Sequence, residues 1–240
     1  MEKIGITICN YNMPESTDRL VEFIRSNFKE EYKLIVVDNG SDTPSKYTDI
    51  KLPENINKLG GVLIGMKELT TYYPTLYWNI STSTEFIDFG EDFSTCLSSA
   101  LRSYKDAVSI TPGYTGEVID KTNRVNLAIE NSVVHESPLV GVYSMFDAEW
   151  LDSIGWFDER LKSTFGTDFE TSYYAKQQGK KMLVHDLARV KVSKGPVYKL
   201  GRAGIDLDTY QKQCIEEMNT IMSLKYGDNW RLVLGVTEYV

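Results

Sequence analysis

The 240-residue sequence has little of what many enzyme chemistries need. It contains two histidines, His135 and His185, and three cysteines, Cys9, Cys96 and Cys214. Neither histidine has ligand spacing around it. The cysteines are scattered and odd in number, which argues against a disulfide framework or zinc cluster and fits a reducing cytosol. Cys9 falls in a strand pattern, where a thiol serves as a small buried hydrophobe. No apolar run approaches the ~18–20 residues of a membrane span. The opening MEKIGITICN lacks the charged, apolar and small-residue order of a signal peptide. These features predict a cytoplasmic protein. No Gly-rich Walker loop and no Ser/His/Asp arrangement is present.

The apolar content of 42% and charged content of 25% are those of a globular chain. The length suits one generous domain, or a domain with a tail. A net charge of −8 opposes general nucleic-acid binding. Its distribution is uneven. Residues 171–204 hold eight Lys or Arg against Asp186 alone, so the segment carries 8 − 1 = +7 and the remainder −8 − 7 = −15. That stretch reads either as a solvated basic edge or as an anion site.

Ile4 to Cys9 alternates like a strand, and Leu34 to Val37 is a continuous apolar run suited to a parallel strand covered on both faces. Between them the spacing predicts a helix over 17–28, with Ser16 or Thr17 as its cap. Further helices are expected near 62–72, from Phe93 to Tyr104, over Asp168–Gln178 (with Gly179 past its end) and over 205–226. Strands are expected at Leu76–Ile80, Ala107–Ile110 and Lys181–Val184. Residues 112–146 are less regular. Strand–helix alternation predicts an α/β sheet with helices on both faces.

Two early strands stop at short polar clusters. "ITICNYNMPE" places Asn10-Tyr11-Asn12 after the first, and "YKLIVVDNGSD" places Asp38-Asn39-Gly40-Ser41 after the second. In open parallel sheets ligands bind beyond the carboxyl ends of the strands. Asp-Asn-Gly is also ordinary turn chemistry, so either stop alone has two explanations. With "NYN" before "IVVDNGSD", and "DSIGWFDERLKSTFGTDFETSYYAKQQGKKMLVHDLARVKV" later, the sequence resembles family 2 glycosyltransferases with the GT-A fold.

The likeness extends over residues 3–195 and implies a nucleoside-diphosphate-sugar donor and a hydroxyl acceptor, with inversion of the transferred hexosyl or pentosyl group. It implies that Asp38, beside Asn39 and Gly40, accepts from the base N–H. Cys9, Asn10, Tyr11 and Asn12 would line the base and ribose. "NKLGGVLIG" resembles the family's glycine-bearing loop, with Asn57 and Gly61 near the donor phosphates, where a helix N-terminus favours anions. On the acceptor side Asp168 aligns with the general base and Glu170 with the second acid of that motif. Trp156 and Phe157 would line the acceptor pocket or pack in the core.

One departure matters. Where relatives carry D-x-D for a divalent metal, this chain has Ser81-Thr82-Ser83 in the donor site. Neutral hydroxyls are poor ligands for Mg²⁺ or Mn²⁺. Glu85 and Asp88 lie off register, and "VKVSKGPVY" replaces the stretch where relatives often add a histidine. No metal or other cofactor is expected. Lys194 is the first candidate to neutralise the leaving diphosphate, with Lys199 and Arg202 behind it. The sequence therefore predicts a Rossmann-like GT-A domain over 1–204, with a mostly parallel central sheet and flanking helices. Its nucleotide-sugar half is 1–110 and its acceptor half 111–204, followed by a helical extension over 205–240. The expected acceptor is a glycan, with a hydroxylated nucleic-acid base as second choice. The competing expectation is a catalytically silent nucleotide-sugar or glycan-binding module.

Overall fold

In the computed structural model, described over residues 2–87, 92–116, 133–141, 143–192 and 206–237, strand β1 (Lys3–Asn10) lies parallel to β2 (Glu31–Asp38). Their register runs from Lys3↔Glu31 to Asn10↔Asp38, so both polar stops finish side by side. The helix between them, α1 (Pro14–Asn27), starts earlier than its periodicity suggests. Pro14 occupies the first turn, where its missing N–H goes unneeded. Thr17 therefore lies inside the helix, and its hydroxyl bonds Asn10 Oδ1 at 3.0 Å and the Met13 carbonyl at 2.9 Å.

The remaining strands are β3 (Ile50–Lys51), β4 (Leu76–Asn79), β5 (Thr84–Phe86), β6 (Ala107–Gly116), β7 (Val134–Ser137), β8 (Met145–Asp147) and β9 (Lys181–Val192). Among the described residues these nine form one sheet in the order β3-β2-β1-β4-β8-β6-β9-β5, with β7 also on β9. β1 to β4, β6 and β9 run one way. β8 is antiparallel to both β4 and β6, and β5 and β7 are antiparallel to β9. The sheet is thus mixed but mostly parallel, and it continues across residues 110–111 without a break. The stretch 112–146, which reads as irregular, supplies the end of β6, all of β7 and the first two residues of β8. Strands of three or four residues carry too little alternation to be seen in the sequence.

Alternation along the strands sorts the core into two layers. Ile4, Ile6, Ile8 and Val36 face α1 and α3 (Phe93–Ser103). Ile35 and Val37 face α2 (Lys58–Leu69), α4 (Ala148–Ser153) and α5 (Thr167–Gln177). Helix α2 sits close on β1. A Cβ on Gly65 would lie 2.0 Å from Thr7 Oγ1, and one on Gly61 2.5 Å from Cys9 Sγ. The C-terminal helices α6 (Leu207–Tyr226) and α7 (Trp230–Leu234) form a third cluster. Their Met218, Met222, Trp230 and Leu234 pack with Leu59, Leu161 and Phe169 of the preceding domain. Among the described residues no helix is long and apolar enough to cross a membrane.

Strand β9 runs far past Val184 by way of a bulge. The register with β6 jumps from Pro112↔His185 to Gly113↔Arg189. His185 Nδ1 accepts from the Ala188 N–H at 3.0 Å and closes the bulge, while its Nε2 lies 3.2 Å from Cys96 Sγ. His135 Nε2 is 2.7 Å from Asp186. Both histidines therefore serve the architecture of this edge.

Helix α3 is capped by Asp92, which accepts from Ser94 N at 3.0 Å and from Lys29 N at 2.8 Å, joining α3 to the turn before β2. Asp92→Ala is expected to lower the free energy of unfolding by about 1–2 kcal/mol, the scale of a lost N-cap. Urea denaturation followed by circular dichroism checks this.

Candidate active site

The carboxyl ends of β1, β2 and β4 lie next to one another, because β1 pairs with both of the others. Asp38, at the end of β2, is fully buried. Its Oδ1 accepts from Asn10 Nδ2 at 2.9 Å and its Oδ2 from Ser41 N at 3.1 Å. Asn10, also fully buried, accepts through Oδ1 from Met13 N at 3.2 Å as well as from Thr17. Ser41 Oγ accepts from Asn12 N at 2.8 Å, and Asn12 Oδ1 accepts from Asp42 N at 2.9 Å. The two stops are therefore laced into one unit. Asn12 has φ +52°, in the left-handed region that Asn tolerates better than most residues. Tyr11 is half-buried beside it.

Asn39 extends the unit toward α2. Its Nδ2 donates to Asn55 Oδ1 at 3.0 Å and to the Asn57 carbonyl at 2.9 Å, and its Oδ1 accepts from Ile56 N at 3.0 Å. Gly40 has φ +75°, and a Cβ there would stand 2.4 Å from the Glu54 backbone, so only glycine fits the crossing. Asn57 begins α2 with φ +75° and no side-chain cap. Gly61 sits in the next turn with its α-carbon against Cys9, where its small size serves helix–strand packing.

After β4 the chain carries a row of hydroxyls. Ser81 Oγ and Ser83 Oγ are 3.0 Å apart, and Ser83 Oγ is 3.4 Å from Tyr143 OH. Tyr143 is pinned by Trp78 Nε1, which donates to its carbonyl at 2.9 Å. Glu85 faces away to an exposed pairing with Lys191 at 3.6 Å. No group of three or more His, Cys, Asp and Glu is gathered for a metal among the described residues. Uncharged hydroxyls at this position do not fit Mg²⁺ or Mn²⁺ as D-x-D carboxylates do. β9 ends at Val192 opposite Thr84, one residue from Ser83. Asp88, Lys194, Lys199 and Arg202 lie outside the described residues.

Asp168 is half-buried in the first turn of α5. Ser172 Oγ donates to the Asp168 carbonyl and accepts from Val140 N at 2.8 Å. The first turns of α5 are thereby bonded to the loop that carries Tyr143. Glu170, two positions on, is buried and ion-paired to Lys225. Trp156 packs edge-on to Tyr77 with ring centres 5.8 Å apart, and its Nε1 donates to Asp152. Phe157 meets Phe146 at 5.8 Å. Both are half-buried at the rim of the core. Ser41 and Tyr143 join these residues through hydrogen bonds; Ser41 lies within "DNGSD", whereas no motif surrounds Tyr143.

The sequence matches no protein-family model, and no curated protein matches it. Solved structures do resemble the fold. One is GalNAc-T7 with UDP, GalNAc and Mn2+, at TM-score 0.64 and 15% identity over 80% of this chain and 44% of that one. Another is S. aureus TarS 1–349 in complex with UDP-GlcNAc, at TM-score 0.65 and 11% identity over 98% and 70%. The fold is that of the GT-A glycosyltransferases. This chain thus spans less than half of the GalNAc-T7 chain and most of TarS 1–349.

Asn10→Ala removes the side chain that holds Asp38, Met13 and Thr17 together. It is expected to destabilise the GT-A domain by about 1–3 kcal/mol, since buried polar partners are left unsatisfied. Thermal unfolding by calorimetry provides the measurement.

Proposed function

We propose that this GT-A domain transfers a hexosyl or pentosyl group, with inversion, from a nucleoside-diphosphate sugar to a hydroxyl acceptor. The observation that carries the proposal is the laced unit of Asn10, Asp38, Ser41 and Asn39, to which Thr82 of the Ser81–Ser83 row connects through its Oγ1, 3.5 Å from Met13 Sδ. It lies at the carboxyl ends of three adjacent parallel strands. The solved neighbours hold UDP, or UDP-GlcNAc, on the same fold.

In this proposal the base and ribose lie along residues 9–12, 38–40 and 57, and the diphosphate lies toward Ser81 and Ser83. Asp168 takes the proton of the acceptor hydroxyl as its oxygen attacks the anomeric carbon. The nucleoside diphosphate leaves from the opposite side. Its growing charge needs a cation in a site of low dielectric. Lys194, two positions past the end of β9, supplies it. A compact ammonium meets the diphosphate as a point charge, which an arginine fork reproduces only in part. The acceptor proposed is a glycan. The second reading, a binding module that holds donor without turnover, is favoured by the loss of both metal-binding carboxylates at 81 and 83.

Two outcomes are expected. Asp168→Asn keeps the donor dissociation constant and lowers turnover by about 10²–10⁴, the scale of a lost acid–base group. Near-normal turnover removes Asp168 from the chemistry. Wild-type turnover survives EDTA, and Lys194→Ala lowers turnover more than donor affinity, because leaving-group charge grows in the transition state. Activity abolished by EDTA and restored by Mn²⁺ overturns the metal-free mechanism. Donor binding without sugar release, tested with several nucleotide sugars, favours the binding module.

A further inference from the structure

Glu170 is a buried titratable group that the proposed chemistry leaves unused. It lies two positions after Asp168 and is 4% exposed. A carboxylate is held away from water only when it is paired and hydrogen-bonded. Its partners come from the far end of the described chain. Lys225 Nζ lies 2.5 Å from Oε1, and Tyr226 OH donates to the same oxygen. Lys225 also reaches Asp158 Oδ2 at 3.1 Å. Arg160 grips Asp158 through Nε at 2.9 Å and NH2 at 2.6 Å. Two carboxylates thus face two cations. Burial and then the bond to Glu170 push the Tyr226 phenol far above its usual range. Burial opposes the charge on Lys225, but the bond to Glu170 prevails and raises its pKa.

The same turn is held from its apolar side. Gly166, just before α5, has φ +89°, and a Cβ there would meet Met218 and Met222 of α6 at 2.8 Å. Phe169 packs near Trp230, with ring centres 6.3 Å apart. These contacts already dock the extension. A buried ion pair adds little net stability over apolar residues of the same size. What it adds is orientation, because the pair forms in one geometry only.

We infer that α6 is a working part of the acceptor side. Lys225 and Tyr226 are positioning residues that act through Glu170 to fix the first turn of α5, and with it Asp168. The inference rests on the proposal that Asp168 is the general base. Holding that carboxylate in line matters, since a misplacement of about 1 Å can reduce turnover on the order of 10²-fold.

The test uses the full chain with Lys225→Met, Tyr226→Phe and the double variant Lys225→Met/Tyr226→Phe. Tyr226→Phe removes one hydroxyl only and serves if Lys225→Met fails to fold. Amide hydrogen exchange over residues 168–171 is expected to accelerate while that of α1 stays unchanged. UDP affinity, read by calorimetry, is expected to stay unchanged, and turnover of a set of nucleotide sugars to fall. Lys225→Arg is expected to restore turnover in part. The double variant is expected to lose no more than the worse single one, because the two groups act as a unit. Unchanged exchange in both single variants overturns the clamp whatever the activity. Weakened UDP binding with unchanged turnover, or independent losses that add in the double variant, overturns the positioning role. A wild type that binds UDP and turns over no donor removes the base assignment. The exchange result then still decides whether α6 fixes α5.

Discussion

One buried carboxylate, Asp38, ties together the edge of the sheet on which the site stands. It has no contact with water, yet it follows a run of four apolar residues, Leu34 to Val37, at the end of its strand. Asn10 and the Ser41 amide supply the hydrogen bonds that a buried carboxyl group requires. Asn10 is in turn fixed by Met13 and Thr17 at the start of α1. The register of β1 on β2, the entry of α1 and the loop after β2 therefore form a single polar network, in which each bond polarises the next. Its rigidity precedes any ligand. A nucleotide arriving here would meet a frame already set.

Much of this frame is legible in the sequence. The alternating β1, the continuous apolar β2 and the polar stops after each can be read directly, because their signals are local. The likeness of two motif blocks in the right order adds the GT-A fold. What escapes has a physical cause in each case. α1 begins at Pro14 because proline fits a first turn, although Ser16 and Thr17 look like better caps. β7 and β8 are too short to show a period. The partners of Glu170, Lys225 and Tyr226, lie more than fifty residues away in the sequence. The periodicity of α6 tells which face is apolar but not where that face docks.

Charge along the chain and charge in space also differ. Residues 171–204 carry a surplus of cations, but strand pairing sets several of them against acids from other elements. Lys191 faces Glu85 at 3.6 Å, Lys180 faces Asp106 at 3.7 Å and Lys181 faces Glu136 at 3.9 Å. All three contacts are largely exposed and contribute little to stability. They nevertheless lower the local field that the sequence alone suggests.

The contact between α2 and β1 has a mechanical consequence. Gly61 and Gly65 leave no space for even a methyl group against Cys9 and Thr7, so helix and strand approach as one slab. A larger residue at either glycine would push α2 as a whole off β1, and Asn57, which leads into that helix, would move with it.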